Sequence, residues 1–344
     1  MRIGILTGGG DAPGLNAAIR AVARPALAAG DDVLGVRNGW AGMLGGGDLF
    51  PIGRGQVSGI LPIGGTLLGS SRTNPLKLEG GLDQVRGVME RSGLDALVAI
   101  GGDDTLSVAA RLAETGAPVV GVPKTMDNDL SVTEYCIGFD TAVSIVTEAL
   151  DRLHTTASSH HRVMVVEVMG RDTGWVAVEG GLAGGADMIV IPEFPVTIDE
   201  IVDHLAYRQA HGSDFSIIVV AEGAQLAGLE EPEAAGGRTD AFGHAQLSRR
   251  GVGERLAGVV EDRTGHESRA TVLGHTQRGG SPTAYDRIWA THVGHRAYSL
   301  IGERAFGSMG VKRGDGVEVA RISDVVAEQR TVPRELYDLA RVFY

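Results

Sequence analysis

The sequence predicts an α/β fold organised around parallel β-sheet, and two features carry the prediction. Short β-branched runs recur along the chain, each followed by a Gly- or Asp-rich turn and then a stretch with helical spacing. The apolar runs are continuous where a half-exposed strand would alternate. They read as strands buried on both faces, with the amphipathic stretches as crossovers. In such sheets the loops at the carboxyl ends of the strands bind ligands, so the polar turns are the places to look for function.

Taken in order, "RIGILT" leads through "GGGDAPG" into the helix "LNAAIRAVARPALAAG". "DALVAIG" leads through "GDDT" into "LSVAARLAETG", and "PVVGVP" through "KTMDND" and a short strand-like piece into "TAVSIVTEALDRLH". "RVMVVEVMG", "DMIVIPE", "SIIVVAEG" and "ATVLGH" repeat the theme. Residues 224–251 are polar, Gly-rich and weakly periodic, and read as a surface insertion. Residues 303–326 read as small strands and turns after the last long helix.

Composition narrows the function. A chain of 344 residues with 43% hydrophobic and 22% charged residues can bury a large core and is not a disordered chain. A formal charge of −12 argues against nucleic acid as a partner, which would require a basic face. The single cysteine, Cys136, has no partner for an internal disulfide, so a reducing cytoplasm is the expected location. The opening "MRIGILTGGGDAPG" has too short an apolar run for a signal peptide, and no run approaches the roughly 18 residues of a membrane span.

Three loops carry the chemistry. "GGGDAPGLNAAIR" follows a strand and opens a helix, so its backbone N–H groups can cradle an anion; a tight structural turn is the other reading. It is neither a Walker A loop, since Leu15 and Asn16 follow Gly14, nor G-x-G-x-x-G, since Pro13 takes the last glycine slot. "GGDDTL" places Asp103 and Asp104 at a helix start, where one acid would suffice as a cap. Mg²⁺ takes one or two carboxylates plus waters and phosphate oxygens, so either aspartate could hold a metal–phosphate complex. "PKTMDNDL" puts Lys124, Thr125, Asp127 and Asp129 in one loop. Aspartates two apart in extended chain face the same way, and one of them could take a proton from a substrate hydroxyl. A solvated Asx-rich turn is the bland alternative. Lys124 is one of only three lysines, with Lys77 and Lys312, in a chain that otherwise uses arginine, which points to a need for a compact charge. Further on, Arg162, Arg171, Arg269, His275 and Arg278 are expected to end strands and together bind a sugar phosphate. His160 and His161 stand in no zinc-binding context.

With these loops in this order, the sequence resembles the 6-phosphofructokinase family along almost its whole length. The matching segments are "LTGGGDAPGLNAAIR", "GGTLLGSSR", "IGGDDTL", "PKTMDND", "SSHHRVMVVEVMGR", "VAEG" and "RATVLGHTQRGGSPTAYDR". The resemblance implies one unit spanning 1–344, made of two interleaved Rossmann-like parallel-sheet lobes with the active site in the cleft between them. It implies Mg²⁺-dependent phosphoryl transfer to the 1-hydroxyl of fructose 6-phosphate. By motif position, Asp127 is then the base, Asp103 the Mg²⁺ ligand, and Asp129 a support for the charge arrangement. Thr125, Arg72, Arg171 and the Gly10 loop fall near the transferred phosphoryl group. Met169, Gly170, Glu222 and His275 hold the sugar, Arg278 holds its phosphate, and Met126, Thr276 and Gln277 complete the substrate set. Arg162 and Arg269 match positions that reach in from a neighbouring subunit, which implies a homodimer or homotetramer with shared sites.

Two positions bear on the phosphoryl donor. ATP-using members typically carry glycine at the place of Asp104, and many also have glycine at that of Lys124. The Asp104–Lys124 pair is similar to that of pyrophosphate-dependent members. Asp104 fills the space along which a nucleotide would run, and like charges about 4 Å apart repel by roughly 4 kcal/mol at an effective dielectric of about 20. Lys124 supplies a cation to a donor that lacks nucleoside contacts. Some ATP-using relatives also have lysine there, so Asp104 carries most of this inference. At His154 the chain departs from the allosteric ATP-dependent bacterial members, which have an effector-site arginine there, so the resemblance does not imply their regulation by ADP or phosphoenolpyruvate. The reading is a reversible pyrophosphate-dependent transferase. Its rivals are an ATP-dependent kinase and a non-catalytic sugar-phosphate-binding subunit.

Overall fold

The computed structural model describes residues 1–229 and 251–344, and these form two compact units. Each is assembled from two stretches, Met1–Thr141 with Arg278–Arg330 and Ala142–Gln277 with Thr331–Tyr344. The chain runs β1 (Arg2–Thr7), α1 (Leu15–Ala29), β2 (Asp32–Val36), β3 (Leu49–Pro51), α2 (Gly81–Arg91), β4 (Ala96–Gly101), α3 (Asp103–Glu114), β5 (Val119–Pro123) and α4 (Phe139–His160). It continues through β6 (Val163–Val168), α5 (Trp175–Ala183), β7 (Met188–Val190), β8 (Val196–Thr197), α6 (Ile198–Ala210), β9 (Ser216–Ala221), β10 (Leu226–Ala227), α7 (Val252–Thr264) and β11 (Ser268–Val272). It ends with α8 (Ala284–Gly302), β12 (Ser308–Arg313), β13 (Gly316–Arg321), α9 (Ile322–Val325) and α10 (Arg334–Arg341).

Among the described residues, the first unit holds a seven-stranded sheet in the order β13-β12-β5-β4-β1-β2-β3. Its inner pairs are parallel, and the two edge strands β3 and β13 are antiparallel. Every residue of β4 and β5 is buried, as continuous apolar runs require. Alternate side chains feed two separate cores. Ile3, Ile5, Val98 and Ile100 pack with Leu15, Ile19 and Val22 of α1 and Val293 and Ala297 of α8. Leu6, Leu97, Ala99 and Val119 pack on the other face with Val85 and Val88 of α2 and Leu106 and Leu112 of α3. Each such side chain taken from water contributes about 1.5–3 kcal/mol, so the period-2 alternation is what holds helices to both faces.

The second unit holds an all-parallel four-stranded sheet, β11-β6-β9-β7, with β6 and β9 wholly buried. Val163, Val165, Ile218 and Val220 meet Leu256 and Val260 of α7 and Ile201 and Leu205 of α6. Helix α6 starts where it does because Thr197 and Glu200 form a reciprocal capping box.

Residues 224–251, expected as a surface insertion, begin inside this unit. Ala224 and Leu226 belong to its core, and β10 pairs with β8. Residues 230–250 lie outside the described residues. Residues 303–326 contain the hairpin β12–β13, and β12 extends the first sheet beside β5. The last stretch then joins the second unit, where the Tyr337 hydroxyl donates to Ile189 O at 3.1 Å and Ile189 N–H donates to the Tyr344 hydroxyl at 3.0 Å. Among the described residues no helix is long and apolar enough to cross a membrane.

Candidate active site

Because β5, β4 and β1 are adjacent and parallel, their carboxyl ends bring three loops to one edge of the first sheet. These are the glycine loop after β1, the paired aspartates opening α3 after β4, and the acid loop after β5. Asp103 and Asp104 occupy the first turn of α3, where the helix dipole favours negative charge.

The glycine loop is tied down through its carbonyls. Lys124 Nζ donates to Gly8 O at 3.0 Å and Gly10 O at 2.5 Å, the Ser70 hydroxyl donates to Gly9 O at 2.5 Å, and Arg278 Nη1 donates to Asp11 O at 3.1 Å. A Cβ on Gly10 would fall 2.6 Å from Arg278 Nη1, so glycine is what lets the guanidinium reach the loop. The Gly8 and Gly9 N–H groups donate to Ile100 O and Ser71 O, so these two are engaged within the protein and not in an anion cradle. The sequence-level picture of Lys124 as a cation facing the ligand is therefore modified. It is 3% exposed and lies beneath the loop, shaping it as well as charging it.

Burial, with the Arg278 charge as a second cause, lowers the Lys124 pKa to about 8. For a base depressed in the folded state, the charged form carries a stability cost that is present below the folded pKa and lifted as pH rises from about 8 towards the ordinary 10.5. Catalysis that needs the ammonium runs the other way. We expect kcat/KM for the phosphoryl donor, which reports the free enzyme, to fall as pH passes about 8. That alkaline limb should vanish in Lys124→Met; a limb identical in both proteins assigns it to another group.

In the acid loop, Thr125, Asp127 and Asp129 are half-buried while Met126, Asn128 and Leu130 are buried. The side chains thus alternate as expected, but the backbone is a turn and not extended chain, because Asn128 lies at φ +51°. Asp127 N–H donates to Thr125 Oγ1 at 3.2 Å. Gln329 Nε2 donates to Asp129 Oδ2 at 3.2 Å, whereas Asp129 Oδ1 is buried and accepts no hydrogen bond among the described residues.

The second unit has a comparable edge of its own. Met169, Gly170 and Arg171 follow β6, Glu222 follows β9, and His275 lies in the 3₁₀ turn after β11, so the carboxyl ends of three adjacent strands present them together. Backbone crowding shapes this edge: Gly223 N–H donates to Gly170 O at 2.9 Å, and a Cβ on Gly223 would sit 1.7 Å from Arg171 O. The Thr276 hydroxyl donates to Leu273 O and the fully buried Gln277 donates to Gly274 O, so both side chains build the turn that carries His275.

Arg162 and Arg269 are not part of that edge, and the expectation that every member of the basic group ends a strand fails for these two. Arg162 immediately precedes β6 and Arg269 is the second residue of β11, so both lie at the amino ends of their strands. At about 3.3 Å per residue, Arg162 lies roughly 20 Å from Met169 along β6, and Arg269 lies roughly 10 Å before the carboxyl end of β11. The parallel register instead brings them to Glu267, whose carboxylate is 2.8 Å from Arg162 Nε and 2.5 Å from Arg269 Nη2.

The phosphofructokinase family model matches residues 2–301, a range that includes the residues of both edges. The chain belongs to the phosphofructokinase family. It is 54% identical over 345 residues to a pyrophosphate–fructose 6-phosphate 1-phosphotransferase of Amycolatopsis methanolica, covering 100% of both chains. It is 48% identical to ATP-dependent 6-phosphofructokinase 3 of Streptomyces coelicolor, covering 98% of each. Among solved structures, a pyrophosphate-dependent phosphofructokinase from Marinobacter aquaeolei superposes with a TM-score of 0.83 at 23% identity, over 97% of this chain and 86% of that one, and shows the same fold.

Several residues support this candidate site of the phosphofructokinase without standing out in the sequence. Asn16 accepts from Leu67 N–H at 2.7 Å and donates to Ile63 O, while the Thr7 hydroxyl donates to Gly69 O, so the "GGTLLGSSR" loop is pinned to β1 and α1. Asp286 is buried and accepts from the Tyr135 hydroxyl and from the N–H groups of Gly138 and Thr141, which anchors the segment behind the acid loop. Burial raises its pKa and these hydrogen bonds oppose the rise. A capping threonine at Thr283, three residues ahead, was the one local signal available.

Proposed function

We propose that this phosphofructokinase transfers a phosphoryl group from pyrophosphate to the 1-hydroxyl of fructose 6-phosphate, giving fructose 1,6-bisphosphate and phosphate, and that it does so reversibly in the cytoplasm. Asp104 in the first turn of α3, at the donor edge, is the observation that carries the choice of donor. The full-length likeness to proteins named for pyrophosphate supports it. ATP-dependent relatives at 46–48% identity make ATP the second reading. Turnover with each donor as the sole phosphoryl source separates the two: activity with ATP alone overturns the first. Retention of Asp103, Asp127 and Asp129 disfavours a binding-only subunit, which has no use for a base.

In this reading the loops after β1, β4 and β5 handle the donor. Asp127 accepts the proton of the 1-hydroxyl as that oxygen bonds to phosphorus and the bridging P–O bond of pyrophosphate breaks, releasing phosphate. Thr125, Arg72 and Arg171 serve the transferred group, while Lys124 and Arg278 keep the glycine loop in shape and positively biased. No group of three or more His, Cys, Asp or Glu among the described residues forms a metal cage. That fits Mg²⁺, which needs few carboxylates when phosphate oxygens complete its shell, and Asp103 would hold it, with the half-satisfied Asp129 close in sequence to the base. Bound Mg²⁺ would offset charge on the pyrophosphate oxygens.

The placement of Arg162 and Arg269 at the amino end of β6 and β11, away from Met169, Glu222 and His275, supports sites completed by a second copy of the chain. Mixing a subunit carrying Asp127→Asn with one carrying Arg162→Ala, each nearly inactive alone, is then expected to restore activity in hybrids. Of random dimers, half would be hybrids with one intact site. No recovery despite subunit exchange verified by mass spectrometry argues against sharing.

A further inference from the structure

We propose that Asn128 is the positioning residue of the reaction: it holds the turn that aims Asp127 and Asp129, and acts on the rate of phosphoryl transfer without touching substrate. The inference rests on the assignment of Asp127 as the base. It starts from the side chain's surroundings. Asn128 is 2% exposed, with acids on both sides, and both ends of its amide are used within the protein. Its Oδ1 accepts from Cys136 N–H at 2.9 Å, and its Nδ2 reaches Glu134 O at 3.4 Å. Its backbone takes the left-handed conformation at φ +51°, which asparagine tolerates better than other residues with a Cβ, apart from aspartate.

These facts together define a device. The turn at Asn128 sends one side chain inward, into the segment 134–136, while its two neighbours stay half-buried at the carboxyl edge of the sheet. The backbone on either side is fixed independently: Arg330 Nη1 donates to Asn128 O at 3.2 Å, and Arg330 N–H donates to Asp129 O at 2.8 Å. Cys136, whose N–H donates to the amide oxygen, is itself buried and precedes the stretch that Asp286 anchors through Gly138. The base is therefore held from behind, through Asn128, by a hydrogen-bonded chain running to α8. A misplacement of about 1 Å in a reacting group can cost about 10²-fold in rate, so such a tether has kinetic weight.

The test compares Asn128→Gly with Asn128→Asp in the full-length protein. Glycine keeps the left-handed backbone at little cost but deletes both side-chain hydrogen bonds. Aspartate also tolerates that backbone and keeps an acceptor for Cys136 N–H. The expected result for Asn128→Gly is a kcat lowered about 10- to 100-fold, with KM for fructose 6-phosphate and for pyrophosphate within about threefold of wild type. Asn128→Asp should recover part of that loss. A merely structural role would lower the melting temperature and leave kcat per folded molecule intact. Wild-type kcat in Asn128→Gly, or a KM increase with unchanged kcat, overturns the proposal. Asp127→Asn measured alongside keeps the two levels apart. If Asp127→Asn is active, the base assignment has failed; if it is inactive while Asn128→Gly is not, only the positioning role has. Should Asn128→Gly not fold, Asn128→Asp decides alone: a smaller fall in kcat at unchanged KM supports the proposal, and a wild-type kcat overturns it.

Discussion

Asp127→Asn is expected to lower kcat by about 10²–10⁴-fold, the range a positioned general base supplies. Fructose 6-phosphate binding should stay within a few-fold of wild type. The substitution keeps the shape of a half-buried side chain and leaves Asp127 N–H free to donate to Thr125 Oγ1 as before, so the fold should survive it. What disappears is the ability to take up the proton of the attacking hydroxyl. The loss should therefore fall on kcat and kcat/KM together, the signature of an interaction made only in the transition state. Sugar-phosphate affinity measured by calorimetry provides the control, since Met169, Glu222 and His275 lie on another sheet and are untouched. Turnover above a tenth of wild type would remove Asp127 from the role of base.

Asp104→Gly should shift the ratio of kcat/KM for ATP to that for pyrophosphate upward by about tenfold or more. A factor of ten corresponds to about 1.4 kcal/mol, well within the roughly 4 kcal/mol of repulsion that a nearby like charge exerts at an effective dielectric of about 20. The side chain is in the first turn of α3, so its removal opens the edge of the donor site without disturbing the core below, which begins at Thr105 and Leu106. Lys124 behaves differently from a surface cation. Because it bonds the carbonyls of Gly8 and Gly10, Lys124→Gly should reduce the use of both donors by loosening the loop, with pyrophosphate losing more. The double variant is not expected to equal the sum of the single ones, since both residues act on one ligand. The ratio is to be measured at saturating fructose 6-phosphate and fixed Mg²⁺. An unchanged ratio in Asp104→Gly would mean that this residue does not choose the donor.

The sequence alone determined the class of fold and named the candidates for the site. Continuous apolar runs such as "ALVAIG" and "SIIVVA", short and bounded by Gly and polar turns, read as inner strands of a covered sheet, and the structure has them so. The polar loops after them can lie only at the strands' carboxyl ends, which is a local consequence of chain direction. Legible for the same reason were Asp103, Asp104, Lys124, Asp127 and Asp129, whose residue types within a few positions of a strand end announce charge handling.

Tertiary structure decided everything that depends on long-range pairing. Nothing local tells Arg162 from Arg171, although one precedes β6 and the other follows it; only strand bounds and register put Arg162 beside Glu267 and Arg269. Lys124 reads from sequence as a compact point charge, because sequence shows neither its burial nor the Gly8 and Gly10 carbonyls more than a hundred residues away. Arg330 and Gln329 reach the acid loop across some 200 residues, so no window along the chain could have placed them there. Spacing along a strand is set by neighbours in the chain, whereas the partner of a buried charge or amide is set by how the sheet closes, and the second kind of information resides in the fold.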